Sequence, residues 1–210
     1  MNMKLTKSEK TRLNIKKVAS SRFISLGYDQ TTLADIANEL DIDRRTTYRY
    51  YSNKQVLLLD IVTDIFKDFA TYLRETTFED CRYGFMQVSY LLDKYNEFYS
   101  SNLDKLILIG MMDSKLSSEV RSLDIYQDFI TYTQVPDQLL EALMIKGIED
   151  GSIKNDINAS LTAITINNAL LSLSSRMAMY AENLDVEQNI DSWVIVEEHS
   201  KLLLESIKND

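Results

Sequence analysis

The chain has one cysteine, one proline and five glycines in 210 residues. With Cys81 alone, no internal disulfide can close and no cysteine-rich zinc site can be built. Sheets joined by tight turns draw heavily on glycine and proline, so their scarcity points to an all-α chain. There is a single histidine, His199. Acid–base and metal chemistry need companions within reach, and His199 has none nearby in sequence, so a surface or packing role is expected for it. The chain shows no Ser-His-Asp or Cys-His grouping, no metal-ligand spacing and no phosphate-cradling glycine loop, which argues against an enzyme and against any cofactor or metal. Apolar runs such as LILIGMM at 106–112 fall far short of the roughly 18 residues a membrane span requires. The N-terminal MNMKLTKSEKTRLNIKK lacks the apolar stretch of a signal peptide. A soluble, cytoplasmic chain with no membrane partner is the expectation.

What is present is an ordinary globular composition, 45% hydrophobic and 26% charged, with the charge unevenly divided. The formal net charge is −9, yet residues 1–59 carry +5 and residues 60–210 carry −14. A basic head on an acidic body confines attraction for phosphates to the head.

Helical periodicity organises the head. Ile15, Val18, Ala19, Phe23 and Leu26 form an apolar stripe over 7–26, and Gly27 stops that helix. Thr32 and Asp35 form a capping-box pair opening a second helix whose Ile36, Ala37 and Leu40 face inward. Asp41-Ile42-Asp43 makes a turn, and Asp43 can cap a third helix at 44–50 that is too short to be stable alone. Ser52 or Asn53 caps a fourth, running to about Arg74. Two short helices joined by a tight turn, the second opening with Arg44 and Arg45, are built as a helix that enters the DNA major groove. Further helices are expected near 83–100, 103–117, 119–134, 137–150, 158–182 and 187–208, with Val135-Pro136 breaking the 119–150 stretch. The last two helices are apolar on more than one face. They suggest either a dimer interface built as a four-helix bundle, through Leu161, Thr165, Ser172, Met179, Trp193, Val196 and Leu203, or the core of a monomer.

Residues 15–57 resemble the DNA-binding domain of the tetracycline-repressor (TetR) family of transcriptional regulators. The match runs through Ile15, Ala19, Phe23, Gly27-Tyr28, Thr31-Thr32, Asp35-Ile36-Ala37, Thr47-Tyr48, Tyr50-Tyr51, Asn53-Lys54 and Leu57. Beyond it, length, helical content and the Gly-Ile-x-x-Gly-x-Ile connector at 147–153 agree. The resemblance implies an all-α fold: a helix-turn-helix DNA-binding domain over 1–52 and a helical ligand-binding and dimerisation domain over 53–210. It implies a homodimer on a palindromic operator in double-stranded DNA, released by a small-molecule effector. It also implies phosphate contacts from Thr31, Thr32, Tyr48, Arg49 and Lys54, base contacts from Arg44 and Arg45, and either kind from Thr46. Tyr51 matches an aromatic of the core. Two positions depart from the family pattern: the turn glycine is Asp41, and the serine cap of helix three is Asp43. Both acids work against affinity for DNA. They favour the alternative of a TetR-like co-regulator that acts through a protein partner, which Arg44, Arg45, Tyr48 and Lys54 argue against. For the effector pocket, the aromatic and methionine side chains of the second half are the candidates: Tyr95, Phe98, Tyr99, Ile107, Met111, Met112, Phe129, Tyr132 and Met144.

Overall fold

A computed structural model describes residues 5–209, apart from the side chains of 181–185, 187 and 188. The chain is all-helical, with ten helices among the described residues: α1 (Lys7–Leu26), α2 (Leu33–Glu39), α3 (Arg44–Tyr50), α4 (Lys54–Arg74), α5 (Gly84–Ser100), α6 (Leu103–Lys115), α7 (Ser118–Arg121), α8 (Asp124–Glu149), α9 (Ala159–Gln188) and α10 (Ser192–Ile207). Among the described residues no helix is long and apolar enough to cross a membrane.

Local chemistry sets the head. Gly27 ends α1 at φ +90°, a left-handed backbone that a side chain would strain. Thr32 and Asp35 close a reciprocal capping box on α2, and the Asp43 carboxylate accepts the Arg45 N–H at the start of α3. Asp41, in the turn between them, sits at φ +51°. Asn53 caps α4 by accepting the Val56 N–H at 3.0 Å. Ile15, Ala19, Phe23, Ile36, Ala37, Tyr51 and Leu57 close a small core beneath these helices.

The body is organised around α4 and α8. The α4 helix leaves the head and packs on α6 and α8, and α8 packs on α5 and α9 as well. At the start of α5, Gly84 meets the backbone of Gly147 so closely that a Cβ there would lie 2.2 Å from the Gly147 nitrogen, which fixes the crossing of α5 and α8. Three boundaries differ from the sequence reading. The Val135-Pro136 step does not break the chain: α8 runs through Pro136, which is buried and whose carbonyl accepts the Tyr95 hydroxyl at 3.2 Å. Packing on three helices outweighs the single hydrogen bond that proline removes. The break falls earlier, at Ser122-Leu123, and leaves the four-residue α7. The α9 helix continues past 182 to Gln188 and stops where Asn189 adopts φ +52°.

Candidate nucleic-acid interface and ligand cleft

The α3 helix presents two neighbouring exposed stripes, each of two residues one turn apart: Arg44 with Tyr48, and Arg45 with Arg49. Its inner side is held by Thr47, fully buried, and by Tyr51 just beyond its end. Tyr51 donates its hydroxyl to Asp60 Oδ2 on α4 at 2.7 Å, and the same carboxylate binds Arg12 Nη2 at 2.8 Å and Nε at 3.1 Å. Lys16 joins Asp60 at 3.4 Å and also pairs with Asp64. One buried carboxylate thus ties α1, the end of α3 and α4 into a unit. Burial first, then the Asp60 carboxylate, push the Tyr51 phenol well above its ordinary range, so it remains a proton donor. Tyr50 pairs its hydroxyl with Ser8 at 3.0 Å and carries Arg49 over its ring, 5.4 Å from the centroid. This brings the start of α1 beside the end of α3, a link with no sequence signal across 42 residues. Of the basic residues in the head, Lys7, Lys10, Lys17, Arg44, Arg45 and Arg49 are exposed and in no salt bridge among the described residues.

The remaining candidates divide. Thr46 is half-buried, while Thr32 is exposed and spends its side chain on the cap with Asp35. Thr31 is not a surface residue: it is fully buried, and its hydroxyl donates to the Gly27 carbonyl at 3.1 Å, because the turn into α2 points successive side chains to opposite sides. Lys54 does not extend toward solvent as a phosphate arm. Its ammonium donates to the carbonyls of Tyr28 at 2.7 Å, Thr31 at 3.1 Å and Asp29 at 3.4 Å, and lies 4.2 Å from the Tyr28 ring centroid. Its three N–H groups are used inside the head. The Tyr28 phenol is pushed up to about 12, by burial first and then by the Asp29 charge.

In the body, a cleft of about 280 Å³ opens between α4, α6, α8 and α9. Tyr99, Met112 and Phe129 line it, as the aromatic and methionine content suggests, alongside Phe66, Phe69, Ile109 and Leu171. The other expected lining residues do not. Tyr95 and Met144 are fully buried core, and Phe98 packs into an aromatic cluster with Phe69, Tyr72 and Tyr99. Ile107 and Met111 occupy other faces of α6 than Ile109 and Met112, and Tyr132 lies under Lys67. Residue type alone marked apolar core as pocket. The polar side chains of the cleft escaped it: Asp113, Thr133, Asp137, Asn167, Asn168, Ser172 and Ser175. Burial, then the Asp137 charge, raise the Tyr99 phenol well above its ordinary range. Burial also raises Asp113, partly offset by Arg121. Among the described residues no group of His, Cys, Asp and Glu side chains could hold a metal ion.

Along α9, Leu161, Thr165, Ser172 and Met179 are exposed on one face, with Ser172 also at the edge of the cleft. On α10 the outward stripe is Val194 and Leu202, at 54% and 62% exposure. Val196 is fully buried, and Trp193 and Leu203 lean on the subunit's own core. These three face inward because the helical phase puts them with Ser200 and Ile207. An apolar groove between α9 and α10, lined by Leu173, Ile190, Val194, Ile195 and Leu202 among others, opens to solvent, with His199 at its wall.

Residues 15–61 match the family model described as bacterial regulatory proteins, tetR family. No curated protein sequence matches the chain. Solved structures share the fold over its whole length. A bacterial regulatory protein of the tetR family from Rhodococcus RHA1 superposes with a TM-score of 0.73 at 17% identity, covering 98% of this chain and 100% of that one. The fatty acid degradation regulator FadR from Bacillus halodurans gives 0.69 at 18% identity, covering 99% and 100%. The transcriptional regulator FadR from Bacillus subtilis in complex with stearoyl-CoA gives 0.66 at 17% identity, covering 91% and 97%.

Proposed function

We infer that this chain, whose head matches the tetR family of bacterial regulators and whose whole fold is that of solved members, is a cytoplasmic transcriptional repressor that reads a palindromic operator as a homodimer. The observation that carries the reading is the pair of exposed stripes on α3, held from behind by the Tyr51–Asp60–Arg12 unit. Arg44 and Arg45 are assigned to base edges, where a bidentate arginine–guanine pair supplies about 1–3 kcal/mol of discrimination. Thr46 is assigned to a thymine methyl or a phosphate. Tyr48, Arg49, Thr32 and, from the start of α1, Lys7 and Lys10 are assigned to phosphates, which set register rather than sequence. The exposed apolar faces of α9 and α10 are assigned to the second subunit, completing a four-helix bundle and bringing two short reading helices onto one duplex. We take residues 1–52 as the reading domain and 53–210 as the regulatory one.

The body is proposed to couple a ligand to the head. The α6 helix lines the cleft with Ile109, Met112 and Asp113, and its last residue, Lys115, pairs with Asp29 at 2.7 Å. Just beyond it, the Ser117 N–H donates to Gln55 on α4 at 3.2 Å. A ligand that shifts α6 or α4 moves the loop before α2 and the base of α3 together, and it favours the released form by as much as it binds that form better. The stearoyl-CoA of the Bacillus subtilis relative is not carried over: the cleft walls hold two carboxylates and no lysine or arginine to meet its phosphates. The test is selection of the purified protein on a random duplex pool at two salt concentrations. Enrichment of one inverted repeat, with salt-sensitive binding, supports operator reading; no enrichment over non-specific binding defeats it and favours action through a protein partner.

A further inference from the structure

The charged and amide groups on the walls of the cleft lean toward accepting hydrogen bonds: two carboxylates, no lysine or arginine, and an amide oxygen with no partner. Asn167 is 8% exposed and donates Nδ2 to Asp137 Oδ1 at 2.6 Å. A carboxylate offers no proton, so this bond fixes which way the amide faces. Asn167 lines the cleft, and its Oδ1 is thereby left buried with no donor to satisfy it. The Ser175 hydroxyl, on a side chain 6% exposed, also lacks a partner there. Asn168 spends its Nδ2 on the Ile164 carbonyl at 2.8 Å, which leaves its own oxygen available. The two acids of the cleft, Asp113 and Asp137, take part in no salt bridge among the described residues, and no lysine or arginine lines the cleft. Native structures pair nearly all buried polar groups. A buried, unsatisfied amide oxygen beside two carboxylates that no lysine or arginine pairs with therefore describes a site that takes donors and positive charge from a ligand.

Aromatic side chains line the cleft beside these polar groups. Phe66 and Phe129 meet edge to face at 5.5 Å, and Phe69 and Tyr99 lie 5.3 Å apart. Such faces hold an apolar body and favour a cation at close range. The volume, about 280 Å³, lies at the small end of ligand pockets. We propose that the effector is an organic cation with N–H donors: a primary or secondary ammonium on an apolar, aromatic-sized body, with the ammonium at Asp137 and Asn167 Oδ1 and the body against Phe66, Phe129 and Tyr99. This rests on the reading of the chain as an effector-controlled regulator, and it names the chemistry of that effector.

The experiment is calorimetric titration of the full chain with size-matched pairs: tryptamine against indole-3-propionate, and 4-phenylbutylamine against 4-phenylbutyrate. At least one amine is expected to bind at least about tenfold tighter than its carboxylate twin, the scale of one charge-assisted hydrogen bond. Asp137→Asn, which keeps an acceptor for Asn167, and separately Asp113→Asn, are each expected to weaken that amine by about tenfold while leaving the carboxylate unchanged or tighter. Thermal melts of both variants establish that they fold, and Asp113→Asn, at the more open position, carries the test if Asp137→Asn does not. Carboxylates that bind as well as amines, no binding by either amine, or variants that bind amines like the parent would each overturn the proposal. Operator binding, measured in parallel, separates the two readings. A chain that holds amines but no operator defeats the regulator reading alone; a chain that holds its operator but neither amine defeats the cation proposal alone.

Discussion

Lys54 offers the sharpest test of how the head is built. Its ammonium joins the Tyr28, Thr31 and Asp29 carbonyls, all in the loop that sets the entry of α2. Replacing it with methionine keeps the stem and removes the donors. The loop carbonyls then lose a charged partner, each such bond contributing about 1.5–3 kcal/mol when well buried. Lys54 is half-buried and one of its three bonds is long, so a net loss of about 2 kcal/mol in head stability is expected. Urea unfolding of the full chain should show this as a lower midpoint at unchanged slope. Operator affinity should fall as well, because the loop positions α2 behind the reading helix. A phosphate ligand would leave a different mark: removing one steepens nothing but cuts the dependence of log affinity on log salt by about 0.9 for each phosphate lost. The clamp predicts an unchanged salt slope in Lys54→Met. A slope reduced by about one unit, with stability intact, would refute the reasoning and return Lys54 to the DNA backbone.

Four further outcomes are expected. Arg44→Ala and Arg45→Ala relax sequence preference by about 1–3 kcal/mol at the base each one reads, visible in selected-site sequencing as one degenerate position per half-site. Tyr51→Phe removes one hydrogen bond from the buried Asp60 but leaves Arg12 and Lys16 in place; a loss of about 1.5–3 kcal/mol in denaturant unfolding checks it. Leu202→Glu puts a charge on the outward face of α10 and should shift the assembly from dimer to monomer in sedimentation, while Val196→Glu, fully buried, should unfold the subunit instead. Asp113 has its folded pKa raised by burial, so it opposes folding while charged. Stability therefore rises as pH falls from that raised value toward the unfolded value of about 3.9, and Asp113→Asn should flatten this part of the melting-temperature profile relative to the parent.

Much of the head was legible because its signals are local. The Gly27 stop, the Thr32–Asp35 box and the Asp43 cap lie within four residues of what they control, and all three occur as read. The carbonyl partners of Lys54 are invisible in the sequence because they lie 23–26 residues back along the chain, where spacing carries no information. Thr31 and Thr32 are adjacent and chemically alike, and only the backbone turn sends one inward. Pro136 obeys packing rather than propensity. On α10, buried serines disguised the inward stripe: Ser192 and Ser200 are 3% and 4% exposed, and Ser200 accepts from Asn96 at 3.0 Å. Leu202, by contrast, points outward at 62% exposure. The cleft was only partly visible, since its defining pair, Asp137 and Asn167, is brought together from α8 and α9 across 30 residues.

Hydroxyl-radical footprinting of the full chain on its selected site tests the central claim most directly. Two symmetry-related reading helices predict two protected patches centred about 34–36 Å apart, one helical turn of DNA, on the same face of the duplex. A single protected patch, or protection without symmetry, would contradict a dimer that reads one operator with two copies of α3.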